Sequence, residues 1–129
     1  MRLLLDSNIV VPLTRGEIDK LHAKIRLLLA ADANEFVVSV ASLWEIAIKT
    51  RIGKLTPEIA LADIPAYCAG LGYSLLPVDE HHALVELIHD PATRDPFDRL
   101  LLAQCQVEGL RLVTTDRALA AHPLVWRES

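Results

Sequence analysis

Four acids stand where a carboxylate can do chemistry. Asp6 closes the apolar run Leu3-Leu4-Leu5, and Asp116 closes Leu112-Val113-Thr114-Thr115. Glu45 lies in Ser42-Leu43-Trp44-Glu45, and Asp98 in Asp95-Pro96-Phe97-Asp98. Brought to one place, they would repel: two unit charges about 4 Å apart cost about 4 kcal/mol at an effective dielectric near 20. No set of four lysines or arginines is arranged in these segments to match them. A hard divalent cation that favours oxygen ligands, Mg²⁺ or Mn²⁺, would relieve the repulsion. It would also polarise a phosphodiester and lower the pKa of a bound water, the two tasks of phosphate cleavage.

Each acid also has a purely structural use. Asp6 and Asp116 can cap the helices that follow them. Ser42 to Glu45 reads as a capping box, and Glu45 stands four residues before Lys49, a favourable helical pair. Asp98 near a helix start is favoured by the helix dipole. What sets the four apart is their joint placement, which depends on the elements that carry them.

Short β-type runs alternate with helical patterns. The residues predict strands over 2–5, 35–38, 74–77 and 110–114, with a short fifth over 124–126. A helical stretch is expected from Gly16-Glu17 through Ala31, with Leu21, Ile25, Leu28 and Leu29 at helical spacing. Ser39 or Ser42 can cap a helix reaching about Ile52, which Gly53 ends. Thr56-Pro57-Glu58 reads as a helix start, Pro65 as a break, and Gly70 and Gly72 as the end. Asp79 can cap a helix with Leu84, Leu87 and Ile88 on one face. Asp95-Pro96 opens another that Gly109 closes, and Asp116 caps a short turn through Ala121. Pro12 falls where a first helix should form and is expected to shorten or kink it.

This alternation predicts an α/β fold with a central, mostly parallel sheet covered on both faces. In such sheets functional groups gather beyond the carboxyl ends of the strands. Asp6 and Asp116 follow strands directly. Asp98 falls in the first turn of the helix leading into the fourth strand, and Glu45 lies one or two turns into the helix after the second. Four separate segments thus deliver acids to one edge.

Composition sets the limits. A chain of 129 residues, 52% hydrophobic and 23% charged, suits one domain with a real core. No apolar run is long enough to cross a bilayer, and the charge at Asp6 comes too early for a signal-peptide core, so a cytoplasmic protein is expected. Cys68 and Cys105 make neither a zinc pattern nor a disulfide scaffold and are expected to be buried thiols. The net charge of −4 argues against gripping nucleic acid by bulk positive charge. It leaves room for an enzyme that meets phosphate through bound cations. The five histidines are scattered, and His81-His82 lacks the spacing of a paired helical metal site. Trp44 and Trp126 are expected to be packing residues rather than base-stacking platforms, and Lys49, Arg51 and Lys54, which could touch phosphates, a solvated helix end.

At the four acids the sequence resembles the PIN-domain family, and within it the VapC-like toxins of toxin–antitoxin pairs. Leu3-Leu4-Leu5-Asp6-Ser7-Asn8 is similar to the family's first motif, and Val38 through Lys49, with Glu45, to the second. Asp95 through Gln104, with Asp98, is similar to the third, and Leu112-Val113-Thr114-Thr115-Asp116 to the fourth. The motifs run in order along nearly the whole chain. The resemblance implies a single PIN domain over residues 1–129, a three-layer α/β/α sandwich. It further implies a Mg²⁺- or Mn²⁺-dependent endoribonuclease, with Asp6, Glu45, Asp98 and Asp116 as catalytic metal ligands. Ser7 and Thr114 resemble supporting hydroxyls. RNA as substrate, a homodimer and a cognate antitoxin that occupies the acidic pocket are implied with them. Asp95, the additional acid in the third motif, is expected to be an N-cap.

Other functions fit less well. A receiver-like signalling domain would show paired acids after the first strand and a late lysine, yet Ser7 follows Asp6 and no lysine follows Lys54. A non-catalytic interaction module would be expected to have lost an acid, and all four are present. A PIN nuclease of RNA processing is the remaining alternative to the toxin.

Overall fold

The structure is a computed structural model and describes residues 1–128. Four strands, β1 (Arg2–Leu5), β2 (Glu35–Ser39), β3 (Ser74–Leu76) and β4 (Arg111–Val113), pair in parallel in the order β3-β2-β1-β4. Leu3, Leu4 and Leu5 are all fully buried, as a central parallel strand covered on both sides requires. Their side chains alternate between two cores. Leu3 and Leu5 join Phe36, Val38 and Val113 on one face, while Leu4 joins Val37 and Leu112 on the other. The first face is covered by α1 (Ser7–Thr14), α2 (Ala23–Ala30) and α4 (Ile64–Gly70), the second by α6 (Pro96–Glu108). Helix α3 (Val40–Arg51) contributes Ile46 to the first core and Ala41 to the second. The result is the expected α/β/α sandwich. Truncating a residue such as Leu4 to alanine would cost about 2–5 kcal/mol.

The strand order reverses once, beside β1. The chain steps outward from β1 to β2 to β3, then returns past β1 to place β4 on its other side. Between β1 and β4 the direction of winding reverses. Helix α1 leaves on one face there and α6 enters on the other, so the carboxyl ends of these two strands form a topological switch point, where ligands of open α/β sheets bind.

Several elements differ from expectation. The fifth strand is one bridge, Leu112 to Val125. The N–H groups of Leu124 and Val125 are both spent on His122, and Pro123 has none. Only the Leu124 carbonyl and the Trp126 N–H remain to pair with Leu112, each at 2.8 Å. The helix expected over 16–31 is broken into a 3₁₀ turn at Ile18–Lys20 and α2. Leu21 turns extended to reach the core, and His22 Nδ1 then caps α2 by accepting from the Lys24 N–H. Helix α1 runs through Pro12 to Thr14.

Thr56-Pro57 does not start a helix. After a 3₁₀ turn at Leu61–Asp63, α4 begins at Ile64, with Pro65 in its first turn, where the missing N–H costs nothing. Helix α5 (Glu80–Leu84) stops after five residues. The Gln106 side chain accepts from the Ile88 N–H and donates to the Glu86 carbonyl, satisfying an extended backbone in place of a further helical turn. Leu87 is buried as a consequence, but Leu84 and Ile88 are 80% and 78% exposed.

Candidate active site

Asp6 is the N-cap of α1, and β1 delivers it buried at the switch between β1 and β4. Its Oδ1 accepts from the Ser7 N–H at 2.7 Å, and its Oδ2 accepts from the Thr114 hydroxyl at 2.8 Å. Thr114 follows β4, so this bond ties the ends of two neighbouring strands. The Thr114 oxygen accepts in turn from the Asp116 N–H at 3.0 Å and from Asn8 Nδ2 at 3.1 Å. Asn8 Oδ1 accepts from the Thr115 N–H at 3.2 Å. Ser7 and Thr114, the two expected supporting hydroxyls, therefore both touch Asp6. Asn8 was not singled out by the sequence, although its place in the first turn after Asp6 was the available signal.

Glu45 comes from α3, whose cap is Ser39: its hydroxyl accepts from the Ala41 N–H at 3.0 Å. Ser42 is buried within the helix with no hydrogen-bond partner, so no capping box forms there. This start places Glu45 in the second turn, buried, with its Oε1 accepting from the Ser7 hydroxyl. Its Oε2 pairs with Lys49 Nζ at 3.4 Å. Ser7 thus links Asp6 and Glu45 across α1 and α3.

Asp98 and Asp95 divide their roles as helix geometry dictates. Asp95 is the N-cap of α6, with Oδ1 accepting from the Phe97 N–H at 2.8 Å and Pro96 as the first helical residue. Asp98 is the third helical residue, and it is buried. Burial, then the charges of Asp95, Asp6, Asp116 and Glu45, push its carboxyl up to about 7. Burial also raises the Asp6 carboxyl, against the opposing pull of its bonds to Thr114 and Ser7. Arg99 does not neutralise Asp98; it pairs with Asp90 at 3.4 Å. Asp116 is half-buried, and its Oδ1 accepts from the Ala118 N–H at 2.9 Å, capping a 3₁₀ turn at Arg117–Leu119.

The charges of Asp6, Asp116 and Glu45 therefore all reach the Asp98 carboxyl. No three of the four acids have ligand atoms within 4.8 Å of one another; among the described residues only Asp79, His82 and Glu108 do. That second group is a structural tie. His82 Nδ1 accepts from the Asp79 N–H at 3.0 Å, which places the ring proton on Nε2, 3.1 Å from Glu108 Oε1. Both ring nitrogens are occupied: Nδ1 closes the cap of α5, and Nε2 joins α5 to α6. His122 is buried with its Nε2 against the His89 carbonyl, and Cys68 and Cys105 are buried free thiols. Trp126 packs against the core, but Trp44 is 60% exposed, contrary to its expected packing role.

Residues 3–123 match the family model described as the PIN domain. A chain in the crystal structure of VapBC2 from Rickettsia felis, bound to a DNA fragment from their promoter, shares the fold with a TM-score of 0.54. Sequence identity with it is 17%, over 97% of this chain and 96% of that one. Comparison with curated proteins returns no match.

Proposed function

The chain belongs to the PIN-domain family, and on that premise we propose that it is a divalent-metal-dependent endoribonuclease acting as the toxin of a toxin–antitoxin pair. One observation carries the nuclease reading. Four acids come from four separate segments to the switch between β1 and β4, where burial, then Asp95, and then the charges of Asp6, Asp116 and Glu45 raise the Asp98 carboxyl.

The donor set fits a hard divalent cation. It consists of carboxylate oxygens steadied by hydroxyls, and Lys49 is the one basic side chain paired with any of the four acids among the described residues. Asp6, Glu45, Asp98 and Asp116 would hold Mg²⁺ or Mn²⁺. Such an ion neutralises charge, polarises a phosphodiester and lowers the pKa of water. The chain's own residues supply orientation. Thr114 and the Ser7 N–H fix both oxygens of Asp6, Ser7 and Lys49 fix those of Glu45, and Asn8 holds Thr114 in place. Outer partners of this kind set ligand direction and basicity.

The toxin reading draws support from the shared fold with a chain of the VapBC2 assembly. An antitoxin's arginine or lysine would pair with the same carboxylates that hold metal, so its binding should weaken with salt and compete with Mg²⁺. The purified protein should cleave RNA with Mg²⁺ or Mn²⁺ and stop in excess chelator. Undiminished cleavage after removal of every divalent ion would sink the mechanism. Induction in cells should arrest growth for the wild type but not for Asp6→Asn, with new RNA ends marking the target. Cleavage in vitro without any growth effect would favour a role in RNA processing.

A further inference from the structure

Lys49 reads in the sequence as part of a solvated helix end, yet the fold brings its head group into the acidic site. Its Nζ stands 3.4 Å from Glu45 Oε2, one turn earlier on α3. With Ser7 and Asn8 of α1 it also lines a hollow of about 260 Å³. A lysine four residues after a glutamate is on most helices a surface pair of little consequence. This pair differs at its carboxylate end. The Glu45 side chain is only 9% exposed, so the charge that Lys49 meets is screened little by water and salt. The other oxygen of Glu45 accepts from the Ser7 hydroxyl. Both oxygens of this acid therefore have a fixed partner within the chain.

The four acids are thus not equivalent. Glu45 has its counter-charge built in, whereas among the described residues no lysine or arginine pairs with Asp6, Asp98 or Asp116. Asp6 is held by neutral donors alone, the Ser7 N–H and the Thr114 hydroxyl. Mg²⁺ is ordinarily held by one or two carboxylates and keeps several waters, so three uncompensated acids are enough for one ion. Where phosphate cleavage uses two ions, about 4 Å apart, the pair clamps the attacking and leaving oxygens. A second ion here would have to draw on Glu45, whose Oε2 already faces an ammonium of like charge. We infer that Lys49 is a built-in substitute for a second metal ion, a positioning residue that fills the positive place on Glu45 and limits the site to one divalent cation. Each carboxylate oxygen has two lone pairs, so Glu45 can keep both partners and still reach that one ion. This inference rests on the nuclease reading, and a count of bound ions tests it separately.

Titration of the purified protein with Mn²⁺, followed by the electron paramagnetic resonance of the free ion, gives that count without RNA. Ions of the site are those lost in Asp6→Asn/Asp98→Asn protein, which removes any bound elsewhere from the total. The wild type should hold one. Lys49→Met keeps the aliphatic stem and removes the charge, and it should hold two. Its first ion should bind roughly 5- to 30-fold more tightly, the span for one unit charge acting on a divalent ion about 4–8 Å away through water. Lys49→Arg restores the charge and should return the count to one. RNA cleavage at low Mg²⁺ should rise in first order with the free ion for the wild type and in second order for Lys49→Met. A lysine with only a structural part would lower the melting temperature in chelator when replaced and leave the count at one. A wild type that holds two ions, a Lys49→Met protein that holds one, or a Lys49→Arg protein that holds two would overturn the inference and leave the nuclease reading standing. A wild type that holds none in the site would refute both.

Discussion

Replacing Asp98 by asparagine keeps its shape and removes the charge that the other acids oppose. Its carboxyl rises from 3.8 to about 7, first through burial and then through Asp95, Asp6, Asp116 and Glu45. At about 1.36 kcal/mol per tenfold change in proton affinity, that rise corresponds to roughly 4 kcal/mol. The rim of the cleft is open to water and buffer ions, whose screening brings the expected effect to about 1–3 kcal/mol. The folded protein binds this proton more tightly than the unfolded chain, so in chelator stability falls as pH rises. The loss begins near 3.8 and is complete above about 7. Asp98→Asn should therefore melt higher than the wild type at pH 8 in chelator, by roughly 3–10 °C for a domain of this size. Its advantage should shrink as pH falls from about 7 toward about 4. Adding Mg²⁺ should stabilise the wild type by mass action, most strongly once Asp98 has lost its proton, and should stabilise the variant little. RNA cleavage by the variant should fall by several orders of magnitude. Thermal melts across pH, with and without Mg²⁺, measure all of this. A variant that melts no higher than the wild type at pH 8 in chelator, with the same pH slope, would refute the electrostatic reasoning.

Other substitutions separate neighbouring roles. Asp95→Ala removes the cap on the Phe97 N–H and should cost about 0.5–2 kcal/mol in denaturant unfolding while retaining most cleavage. Thr114→Val removes the hydroxyl shared by Asp6 and Asp116. Metal affinity, measured by titrating Mn²⁺ against cleavage, should drop about 10- to 100-fold, with a stability cost of about 1–3 kcal/mol from the unsatisfied partners. His82→Ala breaks the tie between α5 and α6 and should cost about 2–4 kcal/mol. Activity per folded molecule should survive; its loss would assign the Asp79–His82–Glu108 group a part in the chemistry.

Local chemistry was legible in the chain itself. Asp6 follows a buried strand and caps a helix, Asp95 caps where Pro96 begins, and Gly109 ends α6 in the left-handed conformation at φ 70°. These features depend on residues within a turn of one another, and the order of four acid-bearing motifs depends only on the sequence. Tertiary structure decided where local preferences were outbid. The Gln106 side chain ended α5 and turned Leu84 and Ile88 outward; His122 took the N–H groups that a fifth strand needed; and the reach of Leu21 to the core split a helix in two. It also brought Ser7 to Glu45 and Thr114 to Asp6, 38 and 108 residues apart. Trp44 shows the same limit from the other side. An indole's composition favours burial, but exposure is set by what packs over it, and Trp44 stays 60% exposed beside its edge-to-face contact with Phe97. Periodicity records which face of an element is apolar. Whether a partner from elsewhere in the chain covers that face, or takes its hydrogen bonds, is settled only when the distant segments meet.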